Sequence, residues 1–98
     1  MKWTRSPSSA AAQIGTISDF GFSIGGLGYR VTVARDQFRG GYRATLAAIG
    51  IGTILSPNGA SPSDALTRLA RELYGGDAAD KKIAREIAKH AWFPLELT

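Results

Sequence analysis

The chain has 98 residues, 44% apolar and 20% charged, with a formal net charge of +4 and no cysteine. That length holds one domain with one modest core, and the composition is that of a folded chain, not a disordered tail. The missing cysteine removes disulfide frameworks, thiolate zinc sites and cysteine nucleophiles, and the longest apolar run, LAAIGIGTIL, is half the ~20 residues of a bilayer span, so no membrane helix is expected.

The charge is unevenly placed. Residues 1–60 carry Lys2, Arg5, Arg30, Arg35, Arg39 and Arg43 against Asp19 and Asp36, which accounts for the whole excess, while six basic and six acidic side chains cancel in residues 61–98. The opening MKWTRSPSSAAAQ has charges with no apolar run behind them, so a secretory signal is not expected and a cytoplasmic location is the default. Its small residues have no period, and residues 1–13 are read as a flexible leader before a single domain over 14–98.

The first strand is expected in IGTISDFGFSIGG, where Phe20, Phe22 and Ile24 alternate as in a half-buried strand, with Gly21 marking a bulge. A repeated phrase follows, GYRVTVA at Gly28 to Ala34 and GYRATLA at Gly41 to Ala47. Tyr29, Val31 and Val33 point one way in the first copy, as do Tyr42, Ala44 and Leu46 in the second. Paired as a hairpin with Ala34 facing Gly41, the copies set Tyr29 against Leu46, Val31 against Ala44 and Val33 against Tyr42. The other face then receives Arg30 opposite Thr45 and Thr32 opposite Arg43, with no like charges directly across. RDQFRG connects the two, and Gly40 with Gly41 supplies positive φ at the turn exit.

Thr53 to Leu55 reads as a further short strand, and SPNG at Ser56 to Gly59 as a tight turn. A helix is expected from Ser61, a capping residue, through Pro62 and Asp64 to a stop at Gly75 and Gly76, with Leu66, Leu69, Ala70 and Leu73 on its apolar face. A second helix runs from near Asp77 to about Ala91 with Ile83, Ala84, Ile87, Ala88 and Ala91 as its stripe and two aspartates at the positive end of its dipole. Pro94 ends it, and Trp92, Phe93 and Leu95 fold back on the domain or meet a partner. The fold class is therefore α+β: an antiparallel sheet of three to four strands with two C-terminal helices on one face. Tyr29, Val31, Val33, Tyr42, Leu46, Leu66, Leu69, Leu73, Ile83 and Ile87 are the expected core.

No catalytic constellation emerges. His90 is the only histidine and sits in the last turn of the second helix, and no GxSxG elbow exists. Gly21 to Gly28 lacks the ending of a phosphate loop, and Gly50 with Gly52 lacks the third glycine of a dinucleotide site. Asp77, Asp80 and Glu86 are helix-start and surface charges without calcium-loop spacing. No enzyme activity, cofactor or metal is expected. Lys81, Lys82, Ala84 and Arg85 form a pattern that resembles the final helix of double-stranded-RNA-binding domains over about eleven residues. A complete helix intervenes where that family passes directly from strand to helix, and the family's opening helix is missing, so an amphipathic helix accounts for the stretch.

The candidate site is the hairpin: Arg30 and Arg43 on its open face, with Arg35, Phe38 and Arg39 in its loop. Guanidinium forks suit phosphate or carboxylate, and a phenyl ring suits a base or an apolar patch. Two functions follow. One is a small binding protein docking on nucleic acid or an acidic nucleoprotein surface; the other is a phage or mobile-element inhibitor or adaptor that blocks a host protein complex through carboxylate contacts. The sequence leaves the oligomeric state open.

Overall fold

The computed structural model describes residues 13–48, 50, 52–56 and 58–95, with the side chains of residues 13–16 and 55 left aside. Four strands form one antiparallel sheet in the order β1 (Gln13–Ile24), β2 (Leu27–Asp36), β3 (Tyr42–Ala48) and β4 (Gly52–Leu55). Two helices follow, α1 (Pro62–Tyr74) and α2 (Ala78–His90). The α+β architecture expected from the pattern is the one observed. The leader expected over residues 1–13 lies outside the described residues except for Gln13, which already pairs with Asp36 as the first residue of β1.

The β1–β2 turn needs only Gly25 and Gly26, whose φ values are +58° and +81°. Positive φ at both central positions is what a two-residue hairpin turn demands, and glycine adopts it without a Cβ penalty. The turn fixes Ile24 opposite Leu27, and the pairing then runs regularly through Phe22↔Tyr29 and Phe20↔Val31. The expected bulge at Gly21 is absent: Gly21 stands in register with Arg30, and the irregularities fall at residues 14–18.

The β2–β3 register corrects the sequence expectation by two residues. Tyr29 faces Ala48, Val31 faces Leu46 and Val33 faces Ala44, while Thr32 faces Thr45 and Arg30 faces Ala47. β2 runs on to Asp36, because Asp36 N–H donates to Gly41 O at 3.1 Å and Gly40 N–H donates back to Asp36 O at 3.0 Å. A slip of two preserves which face each residue occupies. Tyr29, Val31, Val33, Ala44, Leu46 and Ala48 therefore still line one face, and all are buried.

That face receives the helices. Ser61 Oγ accepts from Asp64 N–H at 3.0 Å, Pro62 opens the first turn, and Asp64 carboxylate accepts from Ala60 N–H at 2.9 Å. Asp77 caps α2 in the same way, accepting from Asp80 N–H at 2.9 Å. Leu66, Leu69, Leu73, Ile83 and Ile87 close the core with Ala65, Ala70 and Ala84, the small residues letting helix and sheet approach. Tyr42 belongs to the rim, half-buried against that cluster. Phe93 and Leu95 fold back onto it, and Ser63 Oγ donates to Pro94 O. No tight left-handed turn forms at Asn58 and Gly59: Gly59 instead bridges to Tyr42 through hydrogen bonds of 2.8 and 2.9 Å, prolonging the pairing beyond β4.

The register is directly testable because the chain has no cysteine of its own. Cysteines directly opposite across a ladder come close to the Cβ separation a disulfide needs, whereas diagonal ones lie well beyond it. Thr32→Cys with Thr45→Cys should lose both titratable thiols in a glutathione redox buffer; Arg30→Cys with Thr45→Cys, the pair opposed in the slipped register, should keep them.

Candidate functional site

Asp36 ends β2 with its side chain on the open face of the sheet, and the residue is only 4% exposed. Its Oδ1 accepts from the N–H groups of Phe38 at 2.9 Å and Arg39 at 3.1 Å, a local turn that an aspartate at this position is suited to make. Its Oδ2 accepts from Arg43 Nε at 2.5 Å and from Asn58 Nδ2 at 3.4 Å. Asn58 Nδ2 also donates to Gly40 O at 2.5 Å, and Arg43 Nη1 donates to Ser56 O at 3.0 Å. One carboxylate thus joins the loop, β3 and the segment after β4. Gly40 and Gly41 carry φ values of +70° and +71°, and a Cβ on Gly41 would lie 2.6 Å from Asn58 Oδ1. The loop can close on Asn58 only because nothing projects from Gly41.

The arginines divide into two classes. Arg43 is 19% exposed at its side chain and committed to Asp36, so it is structural. Arg30 is exposed but forms a two-point pair with Asp19, Nε to Oδ1 at 2.9 Å and Nη2 to Oδ2 at 2.5 Å. That exposed pair can open to solvent or a ligand, since such bridges contribute little and are screened by salt. Arg35 and Arg39 are exposed and have no ion-pair partner among the described residues. Phe38, between them in the loop, is 72% exposed. Arg30 and Arg43 share the open face as expected, but each is paired with an aspartate; Arg35, expected in the connecting loop, lies within β2 opposite Tyr42, on the alternation of the helix-covered face.

The free groups gather at the hairpin tip. An open depression of about 290 Å3 is lined by Arg35, Asp36, Gln37, Gly40, Gly41 and Tyr42. A phosphate or carboxylate seated there would meet Arg35 at the end of β2, with Asp36 also in the lining; Phe38 and Arg39 belong to the adjoining loop and are not among the lining residues. An exposed phenyl ring next in sequence to an exposed arginine combines apolar contact area with directional charge, the composition of binding anchors. His90 belongs elsewhere: its ring stacks on Phe20 and Phe22 at 6.1 and 5.8 Å, and its Nε2 lies 3.3 Å from Glu86. Among the described residues no group of three or more His, Asp or Glu is placed to hold a metal ion.

Sequence reasoning named Arg35, Phe38 and Arg39 but not Asp36 and Asn58, which hold them. Asp36 was legible only as an aspartate two residues ahead of a Phe-Arg-Gly-Gly exit; Asn58 read only as part of a turn, with nothing to join it to an aspartate 22 residues away in the chain. Comparison with protein-family models, curated proteins and solved structures finds no match for this chain, so the functional reading rests on the geometry.

The hydrogen bond from Arg43, reinforced by those from the loop, holds the Asp36 carboxyl at a pKa of about 2 against an ordinary 3.8. A folded-state pKa below the unfolded value means the stabilisation is complete above pH about 4 and is lost as pH falls through about 2. Asp64 and Asp77 are also lowered, by backbone hydrogen bonds first, so acid sensitivity is shared. The difference between wild type and Asp36→Asn isolates the Asp36 part: the stability gap should be full at pH 6 and shrink towards pH 2 in urea titrations. Asp36→Ala, which strands the Arg43 charge, should cost roughly 3 kcal/mol at pH 7.

Proposed function

We propose that the chain is a non-enzymatic binding module, acting in the cytoplasm, that docks the β2–β3 loop on nucleic acid through Arg35, Arg39 and Phe38. The observation that carries this reading is the exposed Phe38 between two arginines free of ion pairs among the described residues, on a loop fixed from below by Asp36. Guanidinium groups take phosphates in pairs of parallel hydrogen bonds, and the phenyl face stacks on an unpaired base. A fixed loop loses little conformational freedom on binding. Arg30 adds a further phosphate contact only by leaving Asp19. No described helix is long and apolar enough to cross a membrane, which fits a partner met away from one.

The division of the arginines supports a second reading. With Arg43 neutralised and Arg30 paired, the free charge is compact, a form that also suits an acidic pocket on a protein, as an inhibitor or adaptor of a phage or mobile element would use. A pull-down from nuclease-treated host lysate separates the two: a partner retained without nucleic acid favours this second reading.

The salt dependence is quantitative. Two phosphate contacts give a slope of log affinity against log salt of about −1.4 for a single strand and about −1.8 for a duplex; four would double both. Fluorescence anisotropy with labelled single-stranded and duplex DNA and RNA at several salt concentrations should return the smaller slopes. Replacing Arg35 and Arg39 together with glutamate should abolish binding while changing stability by no more than about 0.5 kcal/mol. Phe38→Ala should weaken single strands more than duplexes. Absence of binding to all four at low salt would refute the nucleic-acid reading.

A further inference from the structure

The outer edge of β1 is independent of the loop and carries its own chemistry. In a two-residue hairpin the pair flanking the turn exchanges both ladder hydrogen bonds. With Ile24 opposite Leu27, the alternation turns the N–H and C=O groups of Phe20 and Phe22 towards β2 and those of Asp19, Gly21 and Ser23 outward. β1 is the end strand of the described sheet, and no described residue pairs with that side.

Edge strands are ordinarily blunted by lysine, proline, bulges or brevity. The opposite edge, β4, has four residues. β1 has twelve, with no lysine or proline, and its irregularities are confined to residues 14–18. Over the regular part the outward positions are unobstructed: Gly21 has no side chain, Ser23 a short one, and Asp19 is drawn back across the sheet onto Arg30. The close approach that Gly21 accommodates is to β2, where a Cβ would lie 3.2 Å from Tyr29 O; towards the outer edge it simply adds no bulk.

The helix side of this edge is roofed. The His90 ring lies against Phe20 and Phe22, and further along Trp92 Nε1 donates to Ser18 Oγ at 3.1 Å. The indole is 71% exposed, yet braced edge-on by Phe93 at 4.7 Å between ring centres. An aromatic ring of that size, largely exposed and with its polar atom satisfied, is an anchor for an apolar side chain.

The roof decides what fits. A second copy adding its own β1 across a two-fold axis would place the strands about 4.8 Å apart and carry its own α2 with it. The last turn of α2 meets the sheet at β1, with His90 against Phe20 and Phe22, and two such turns brought together at that spacing would fall inside the about 8–10 Å that packed helices require. A strand without a covering helix meets no such obstacle. We propose that the β1 edge accepts an extended peptide of a partner protein, added as a fifth strand hydrogen-bonded to Asp19, Gly21 and Ser23, with an apolar side chain against Trp92. Strand addition of this kind takes its affinity from main-chain bonds and its selectivity from alternate side chains.

The test uses the full chain. A displayed library of random twelve-residue peptides is selected on immobilised protein, and the enriched sequences are synthesised and titrated into 15N-labelled protein. The proposal expects bound peptide to shift the amides of Asp19, Gly21 and Ser23 and the Trp92 indole N–H, slowing exchange of those three amides. Ser23→Pro, which removes one outward donor and leaves the β2 ladder intact, and Trp92→Ala, at an exposed ring, should each weaken binding about tenfold, the scale of one hydrogen bond or anchor contact. Nucleic-acid binding by the loop should be unaffected by either, so failure here and failure of the loop reading are separate results. No enrichment over the bare support, peptides that perturb residues 37–41 instead, or a dimer in sedimentation equilibrium that protects the three amides without peptide would each overturn it.

Discussion

The Asp36 carboxylate is the constraint from which the rest of the hairpin follows. A charge that is almost wholly removed from solvent is tolerable only if its oxygens are met by donors, because an uncompensated buried ion costs several kcal/mol. Asp36 has four: two loop amides, one guanidinium and one side-chain amide. The donors come from three parts of the chain: the loop, β3 and the segment after β4. The end of β2, the loop, β3 and the connection before α1 are thereby fixed relative to one another around a single side chain. The same arrangement frees the loop's apolar and charged groups from any structural duty, since Phe38 and Arg39 contribute their backbone to Asp36 and turn their side chains to solvent.

Charge in this molecule is divided between holding and presenting. Arg43 holds, because its guanidinium bridges Asp36 and the Ser56 carbonyl. Arg30 lies between the two roles, exposed but paired. Arg35 and Arg39 present. The N-terminal excess of positive charge visible in the sequence therefore overstates the reach of the basic surface: the field that a partner meets is concentrated at a hairpin tip and does not spread over a sheet face. The number of phosphates that can be neutralised, and hence the steepness of any salt dependence, is set by that concentration and not by the net charge.

Most of the architecture was legible because it depends on period and on local chemistry. Alternation in Tyr29, Val31 and Val33, helical spacing in Leu66, Leu69 and Leu73, the Ser61-Pro62-Asp64 start and the Gly40-Gly41 pair at the β2–β3 turn all act over a few residues. The register of β2 on β3 was not legible for a definite reason: a slip of two residues leaves every side chain on the same face, so the apolar pattern cannot distinguish the alternatives. What decides between them is the length of the loop, and Asp36 and Asn58 set that length from 22 residues apart. The same long-range pairing absorbed Arg43, which the sequence placed among the outward cations. Nor did the pattern reveal Gly21 as a regular strand residue, since glycine's tolerance of a bulge and its tolerance of a close neighbour look alike in one sequence.

The two surfaces are built on different principles. The loop offers side chains on a fixed backbone; the β1 edge offers backbone beneath a fixed ring. Of the two, the loop carries the functional reading, and that reading depends on residues 37–41 being held before any partner arrives. Backbone 15N relaxation of the free protein measures this directly. Order parameters near 0.85 for the amides of Phe38, Arg39 and Gly40, about equal to those of β2 and β3, are the expected result, and values below about 0.6 would contradict a pre-formed docking loop anchored on Asp36.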